Sequence, residues 1–266
     1  MSIQTVGIVG AGTMGNGIAQ ACAVSGVAVV MVDISEAAVQ KGLATISGSL
    51  DRLIKKEKIT VADKEKALSL IKTSTSYDDL KVKILKQLDA TLPAETLVAT
   101  NTSSISITKL GAVTQRADKF IGMHFFNPVP MMALVEIIRG LQTSDATHDT
   151  VKALSEKLGK SPITVKNAPG FVVNRILVPM INEAFYVLSE GTATAEDIDA
   201  GMKLGCNQPI GPLALADMIG LDVCLAVMEV YLEEFGDSKY RPCYLLREMV
   251  AAGRLGRKTG QGVYTY

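Results

Sequence analysis

The stretch that decides the fold is Gly7-Ile8-Val9-Gly10-Ala11-Gly12-Thr13-Met14-Gly15, close to the start of the chain. The residues from Ile3 to Val9 are apolar and β-prone, which predicts a buried strand. Three glycines follow with the spacing G-x-G-x-x-G, and Asn16 to Ser25 has a helical pattern. The first glycine permits a tight turn, the second leaves the backbone open to a pyrophosphate, and the third lets the helix pack close to the strand. The stretch therefore predicts a dinucleotide site at the helix N-terminus, where free N–H groups attract phosphate.

The nature of the dinucleotide follows from the next apolar run. Ala28 to Val32 predicts a second strand, which ends in Asp33, 18 residues after Gly15. A carboxylate at this place accepts hydrogen bonds from ribose hydroxyls and repels a 2′-phosphate, so we predict NAD rather than NADP. The predicted cofactor contacts are Gly10, Gly12, Thr13, Met14, Gly15, Asp33 and Asn101.

The rest of the chain divides into two parts. An α/β pattern continues to Asn167, where the turn Asn167-Ala168-Pro169-Gly170 indicates a boundary, and the pattern beyond it is helical. We therefore predict a Rossmann-type, doubly wound, mostly parallel sheet with a projecting helical hairpin over residues 1–167. An all-helical domain over residues 168–266, including one helix from Pro212 to Tyr231, is expected to bind substrate. Because this half is apolar on more than one face, we also expect a homodimer formed through it.

Composition excludes several classes of protein. Of 266 residues, 48% are hydrophobic, which is enough for a substantial core, and 27 basic residues balance 27 acidic ones. This balance gives no reason to expect nucleic acid or membrane as a partner. Four cysteines without a C-x-x-C pair, no signal peptide and no long apolar run predict a cytoplasmic protein with reduced thiols and no metal site.

Two apolar strand candidates carry groups suited to proton transfer. Phe120 to Met123 leads into His124, and the strand Leu134 to Ile138 contains Glu136. A carboxylate in such a strand is unfavourable to bury without a partner. A His–Glu pair would supply that partner, fix the imidazole tautomer and leave one nitrogen free as a base. The alternative is a structural histidine in the core. His148, at a helix start, is expected to be solvated.

The basic end of the predicted hairpin carries Lys55, Lys56 and Lys58. This cluster is either a phosphate-binding site or an ordinary solvated helix end.

Five motifs along the chain together resemble those of a known protein family. They are the glycine-rich loop, Asn101-Thr-Ser-Ser104, His124-Phe-Phe-Asn-Pro-Val-Pro130 with Leu134-Val-Glu136, Pro169-Gly-Phe-Val-Val-Asn174-Arg175 and Gly211-Pro-Leu-Ala-Leu-Ala-Asp217. Together they resemble the 3-hydroxyacyl-CoA dehydrogenase family from end to end, and within it the bacterial 3-hydroxybutyryl-CoA dehydrogenases.

The resemblance implies an activity and roles for individual residues. The family oxidises an (S)-3-hydroxyacyl-CoA to a 3-oxoacyl-CoA with NAD, and runs the reverse reduction. By matching motifs, His124 is the general acid and base, and Glu136 orients it. Ser103 and Asn174 match positions that hydrogen-bond the substrate oxygen, so catalysis would draw on both domains. Ser49 and Lys56 match positions near the CoA nucleotide, which favours the phosphate interpretation of the basic cluster.

Two other functions remain open. One is a non-catalytic, structural relative that keeps the fold. The other is a related β-hydroxyacid dehydrogenase, a class that uses a catalytic lysine and lacks the H-F-F-N-P turn.

One strand of the family's pattern is missing from the sequence. Between the equivalents of Leu80 and Val82, the family has about sixteen more residues, which form an apolar strand beside the first one and a following loop. Without it, Leu97–Thr100 would have to move beside Ile3–Val9, because each buried unpaired backbone group costs about 1–3 kcal/mol. We therefore favour an interruption of the sequence near Leu80–Val82 over a true deletion. A Cα–Cα distance well beyond the usual ~3.8 Å would reveal such an interruption.

Overall fold

The computed structural model describes residues 3–33, 35–75 and 89–266. The chain divides into two compact units. The first comprises Met1–Thr102 and Ser106–Asn167, and the second comprises Ser103–Ile105 and Ala168–Tyr266. Within the described ranges, no helix is both long and apolar enough to cross a membrane.

The first unit alternates strands with helices, as the sequence pattern predicts. Its elements in chain order are β1 (Thr5–Val9), α1 (Thr13–Val24), β2 (Ala28–Val32), α2 (Glu36–Lys55), α3 (Val61–Ser69), β3 (Ile71–Ser74), β4 (Val98–Thr100), α4 (Ile107–Gly111), β5 (Phe120–Phe125), β6 (Leu134–Arg139), α5 (Asp145–Lys157) and β7 (Ser161–Lys166).

Helix starts in this unit follow local capping chemistry. Ser35 accepts a hydrogen bond from the N–H of Ala38 at 3.1 Å and begins α2. Thr60 and Asp63 form a reciprocal capping box at the start of α3. The helical hairpin α2–α3 packs on α1, with Ile46 and Leu50 fully buried in the core.

The strands of the described ranges form two sheets that share one core. One sheet is parallel with the order β1-β2-β3, and the other has the order β4-β5-β6-β7, in which only β5 and β6 are antiparallel. Side chains from both sheets, among them Met31 of β2 and Met123 of β5, belong to a single buried cluster. Among the described strands, β1 and β4 do not pair, so they have not closed up as a shortened single sheet would require. The segment Leu80–Val82 lies outside the described residues, so the interruption predicted there stays a prediction.

The second unit is helical, with α6 (Val173–Ser189), α7 (Ala195–Gly205), α8 (Pro212–Ile219), α9 (Leu221–Phe235) and α10 (Tyr244–Ala251). The single helix predicted from Pro212 to Tyr231 is wrong, because Gly220 separates two helices. Gly220 has a φ of 107°, a conformation that residues with a side chain rarely adopt. The C-terminal tail packs back on this unit: the buried Asp217 accepts the N–H groups of Val263 and Tyr264, both at 2.9 Å.

Candidate active site

The glycine-rich loop joins β1 to α1 in the geometry that a dinucleotide requires. Gly10 has a φ of 98°, and Cβ atoms at Gly10 or Gly12 would point into open space. A Cβ at Gly15 would clash with the carbonyl of Gly10. Gly12 is the N-cap of α1 and makes no side-chain capping bond. The loop thus leaves backbone N–H groups of a twelve-residue helix available to a pyrophosphate.

Asp33 lies directly after β2 and is tied to this loop. Its Oδ2 accepts the backbone N–H of Ala11 at 2.6 Å. The carboxylate that is predicted to select NAD therefore also holds the glycine-rich loop in shape.

His124 and Glu136 form a buried pair. They lie opposite each other in the antiparallel ladder between β5 and β6. The Nδ1 of His124 is 2.7 Å from Oε2 of Glu136, and the two residues are 6% and 0% exposed. Since a carboxylate only accepts hydrogen bonds, a neutral imidazole in this pair has its proton on Nδ1, and Nε2 is then the basic nitrogen. The arrangement is that of a general base with an orienting acid.

Further contacts hold the strand end that carries His124. The Oδ1 of Asn101 accepts the backbone N–H of Phe125 at 2.8 Å. The ring of Phe126 lies 4.6 Å from the imidazole, centroid to centroid, at an angle of 53°.

The turn between β5 and β6 is fixed from two sides. The Nζ of Lys160 donates to the carbonyls of Val129 at 2.6 Å and of Met132 at 2.9 Å, and burial lowers the pKa of this amine. On the other side, Val129 is fully buried and packs on Gly17 of α1, where a Cβ would lie 2.9 Å from the Cβ of Val129.

The remaining predicted residues occupy other places in the fold. Ser103 and Asn174 both belong to the second unit, and Asn174 lies in the first turn of α6. Ser49 is half-buried on α2, and Lys56 is the exposed C-cap of that helix. The structure thus brings together His124, Glu136 and Asn101, and the roles of all the predicted site residues stay predictions.

The expectation for the second histidine is wrong. The side chain of His148 is only 12% exposed, and its two ring nitrogens lie 2.9 Å from Asp149 Oδ1 and from Thr164 Oγ1. Packing of α5 on β7 covers the ring, a tertiary effect that the local polar sequence hides.

Sequence reasoning missed Gly17 and Lys160. A glycine inside a helix lowers its stability relative to alanine, so Gly17 in the interior of α1 was a usable signal of close packing. Lys160 gives no local signal, because it acts on carbonyl groups about thirty residues away in the chain.

Two family models match the chain. The model described as "3-hydroxyacyl-CoA dehydrogenase, NAD binding domain" matches residues 5–168, and "3-hydroxyacyl-CoA dehydrogenase, C-terminal domain" matches residues 170–266.

Full-length relatives agree with these models. A 3-hydroxybutyryl-CoA dehydrogenase of Bradyrhizobium diazoefficiens is 51% identical, with 99% of this chain and 96% of that protein aligned. The mitochondrial hydroxyacyl-coenzyme A dehydrogenase of Homo sapiens is 40% identical over 99% of this chain and 91% of its own. The crystal structure of (S)-3-hydroxybutyryl-CoA dehydrogenase PaaH1 from Ralstonia eutropha has a TM-score of 0.96 and 72% identity, covering 100% of this chain and 99% of that one.

The alignments also show a difference in length. A probable 3-hydroxybutyryl-CoA dehydrogenase of Bacillus subtilis aligns over 282 positions with the whole of this 266-residue chain, so sixteen positions have no counterpart here. This difference is close to the roughly sixteen residues that the resemblance to the family predicts to be missing.

Proposed function

The chain belongs to the 3-hydroxyacyl-CoA dehydrogenase family, and we propose that it interconverts (S)-3-hydroxybutyryl-CoA and acetoacetyl-CoA with NAD. The observation that carries the proposal is the buried pair of His124 and Glu136, with Nδ1 and Oε2 at 2.7 Å. In the oxidation, Nε2 of His124 takes the proton of the substrate hydroxyl, and in the reduction it returns that proton. Glu136 holds the ring in one tautomer and stabilises its cationic form.

NAD, when bound, supplies the hydride acceptor. The residues present fit this cofactor, since Gly10 and Gly12 leave room beside the N-terminus of α1 and Asp33 follows β2. In this proposal the carboxylate of Asp33 accepts hydrogen bonds from the ribose hydroxyls. Thr13 and Met14 are the first residues of the helix whose N-terminus faces the pyrophosphate.

Ser103 and Asn174 are proposed as donors to the oxygen on the reacting carbon. As oxidation proceeds, negative charge develops on that oxygen, and preorganised donors stabilise it. Their motifs, N-T-S-S and P-G-F-V-V-N-R, support this assignment.

Ser49 and Lys56 are proposed to bind the nucleotide part of CoA. Lys56 is exposed at the C-terminal end of α2, with Lys55 and Lys58 beside it, so three ammonium groups are available to a phosphate.

The helical half is proposed to bind substrate and to form a homodimer. Large apolar side chains of this half are exposed, including Ile176 at 68%, Leu204 at 86% and Tyr244 at 72%. Light scattering coupled to gel filtration measures the mass, and a monomer at micromolar concentration would overturn the dimer. The four free thiols support a cytoplasmic location.

The proposed activity is tested by the absorbance of NADH at 340 nm. We expect acetoacetyl-CoA to be reduced with NADH, and (S)-3-hydroxybutyryl-CoA to be oxidised with NAD. A protein that binds NADH but consumes none with acetoacetyl-CoA would contradict the proposal and favour the non-catalytic alternative. A series of acyl-CoA substrates then gives the chain-length preference.

A further inference from the structure

The ladder between β4 and β5 stops short of the end of β5 that carries His124. β4 is three residues long, and its ladder with β5 ends at the pair Thr100 and Gly122. On the other side, β6 continues and pairs with both His124 and Phe125.

Beyond the end of β4, the side chain of Asn101 supplies the hydrogen-bond acceptor for β5. It is the first residue after β4, and its Oδ1 accepts the N–H of Phe125 at 2.8 Å. The side chain thus extends the ladder past the last backbone pair. Phe125 is 4% exposed, so its N–H would be unfavourable to leave without an acceptor.

The bond also fixes the orientation of the amide. Because a backbone N–H only donates, the atom of the Asn101 amide that faces Phe125 is the acceptor Oδ1, and the donor Nδ2 is not part of this bond. A loss of the acceptor and a loss of the donor can therefore be separated by substitution.

We propose that Asn101 is a positioning residue for His124, acting through its acceptor oxygen on the backbone of Phe125. The proposal rests on the proposed dehydrogenase activity. It assigns Asn101 a role distinct from the cofactor contact that the sequence predicts. A displacement of about 1 Å at a catalytic group can lower a rate by 10²-fold, so a single bond at the adjacent residue is sufficient to matter.

Three variants test the proposal. Asn101→Ala removes acceptor and donor, whereas Asn101→Asp keeps an oxygen acceptor and removes the donor. The matched control is Thr143→Val, which removes a side-chain bond of 2.7 Å to the carbonyl of Phe120 at the opposite end of β5. For each variant, kcat and KM for acetoacetyl-CoA, the Kd of NADH and the imidazole NMR signals are measured. The chain has only two histidines, and His148→Gln assigns their signals.

We expect Asn101→Ala to lower kcat by about 10- to 100-fold, with less than about a threefold change in KM and in the Kd of NADH. The His124 signal should shift. Asn101→Asp should recover kcat to within about fivefold of the wild type, and Thr143→Val should leave kcat and the His124 signal unchanged.

Several results would overturn the proposal. These are an unchanged kcat in Asn101→Ala, an equal loss in Asn101→Ala and Asn101→Asp with a weaker Kd for NADH, or an equal loss in Thr143→Val. If Asn101→Ala does not fold, Asn101→Asp decides alone: a retained kcat supports the proposal and a lost kcat refutes it. If the wild type has no turnover, the proposed function fails, and the His124 signal still tests the positioning.

Discussion

Replacement of His124 by alanine tests the proposed chemistry and has two separate consequences. The first is catalytic. Removing a general base commonly lowers a rate by about 10²–10⁴-fold. The glycine-rich loop and Asp33 are unchanged in this variant, so NADH should still bind to the folded protein.

The second consequence is structural. Glu136 is 0% exposed, and His124 lies 2.7 Å from its Oε2. Breaking a buried pair by removing one partner costs about 3–5 kcal/mol, because an uncompensated charge stays behind. The whole free energy of unfolding of a domain is about 5–15 kcal/mol. The alanine variant is therefore expected to be much less stable, and a low activity alone would be ambiguous.

A second substitution separates the two effects. In His124→Ala/Glu136→Gln the buried charge is absent, so we expect most of the lost stability to return while kcat stays low. Urea unfolding measures the stability, isothermal titration calorimetry gives the Kd of NADH, and absorbance at 340 nm with acetoacetyl-CoA gives kcat. Either of two results would refute the reasoning: a kcat within threefold of the wild type in His124→Ala, or a double variant that regains activity together with stability.

Three further predictions concern other parts of the chain. Asp33→Ala should raise KM for NADH more than KM for NADPH, since a ribose acceptor and a repulsive charge disappear together; an unchanged KM ratio would contradict the cofactor assignment. Lys56→Glu should raise KM for acetoacetyl-CoA and leave that of an acetoacetyl-pantetheine thioester unchanged, so equal losses for both substrates would exclude a phosphate contact. Burial raises the pKa of Cys22 and of Cys224 to about 12, whereas Cys206 is exposed. Ellman's reagent should therefore modify Cys206 rapidly in the native protein and the buried thiols only on unfolding, as mass spectrometry of the modified peptides will show.

The sequence predicts most of the secondary structure because apolar alternation and capping residues are local signals. The predicted strand Ala28–Val32 is confirmed, and Ser35 caps α2 in the way that serine commonly begins a helix. The pairing of His124 with Glu136 was also predictable, since a carboxylate in an apolar strand requires a partner. Their register was not, because it depends on the conformation of the turn between them.

The structural features that the sequence could not predict depend on contacts between distant segments. The side-chain amide of Asn101 can accept the N–H of Phe125 because β4 ends one residue earlier. The length of such a short strand depends on tertiary contacts. Gly220 ends a helix by its left-handed φ, although the apolar pattern runs on without interruption. Secondary-structure propensity and hydrophobic periodicity indicate neither the end of β4 nor the break at Gly220.

The contact between Gly17 and Val129 links the two parts of the proposed site. Gly17 follows the glycine-rich loop on α1, and Val129 lies in the turn between the strands of His124 and Glu136. In the described residues the two sheets are not joined by a ladder between β1 and β4, yet their side chains form one buried cluster. The loop for the cofactor and the acid–base pair are therefore held together by packing of side chains through α1. This contact involves no residue near Leu80–Val82. A larger residue at position 17 would place its Cβ 2.9 Å from that of Val129 and force the two parts of the site to separate.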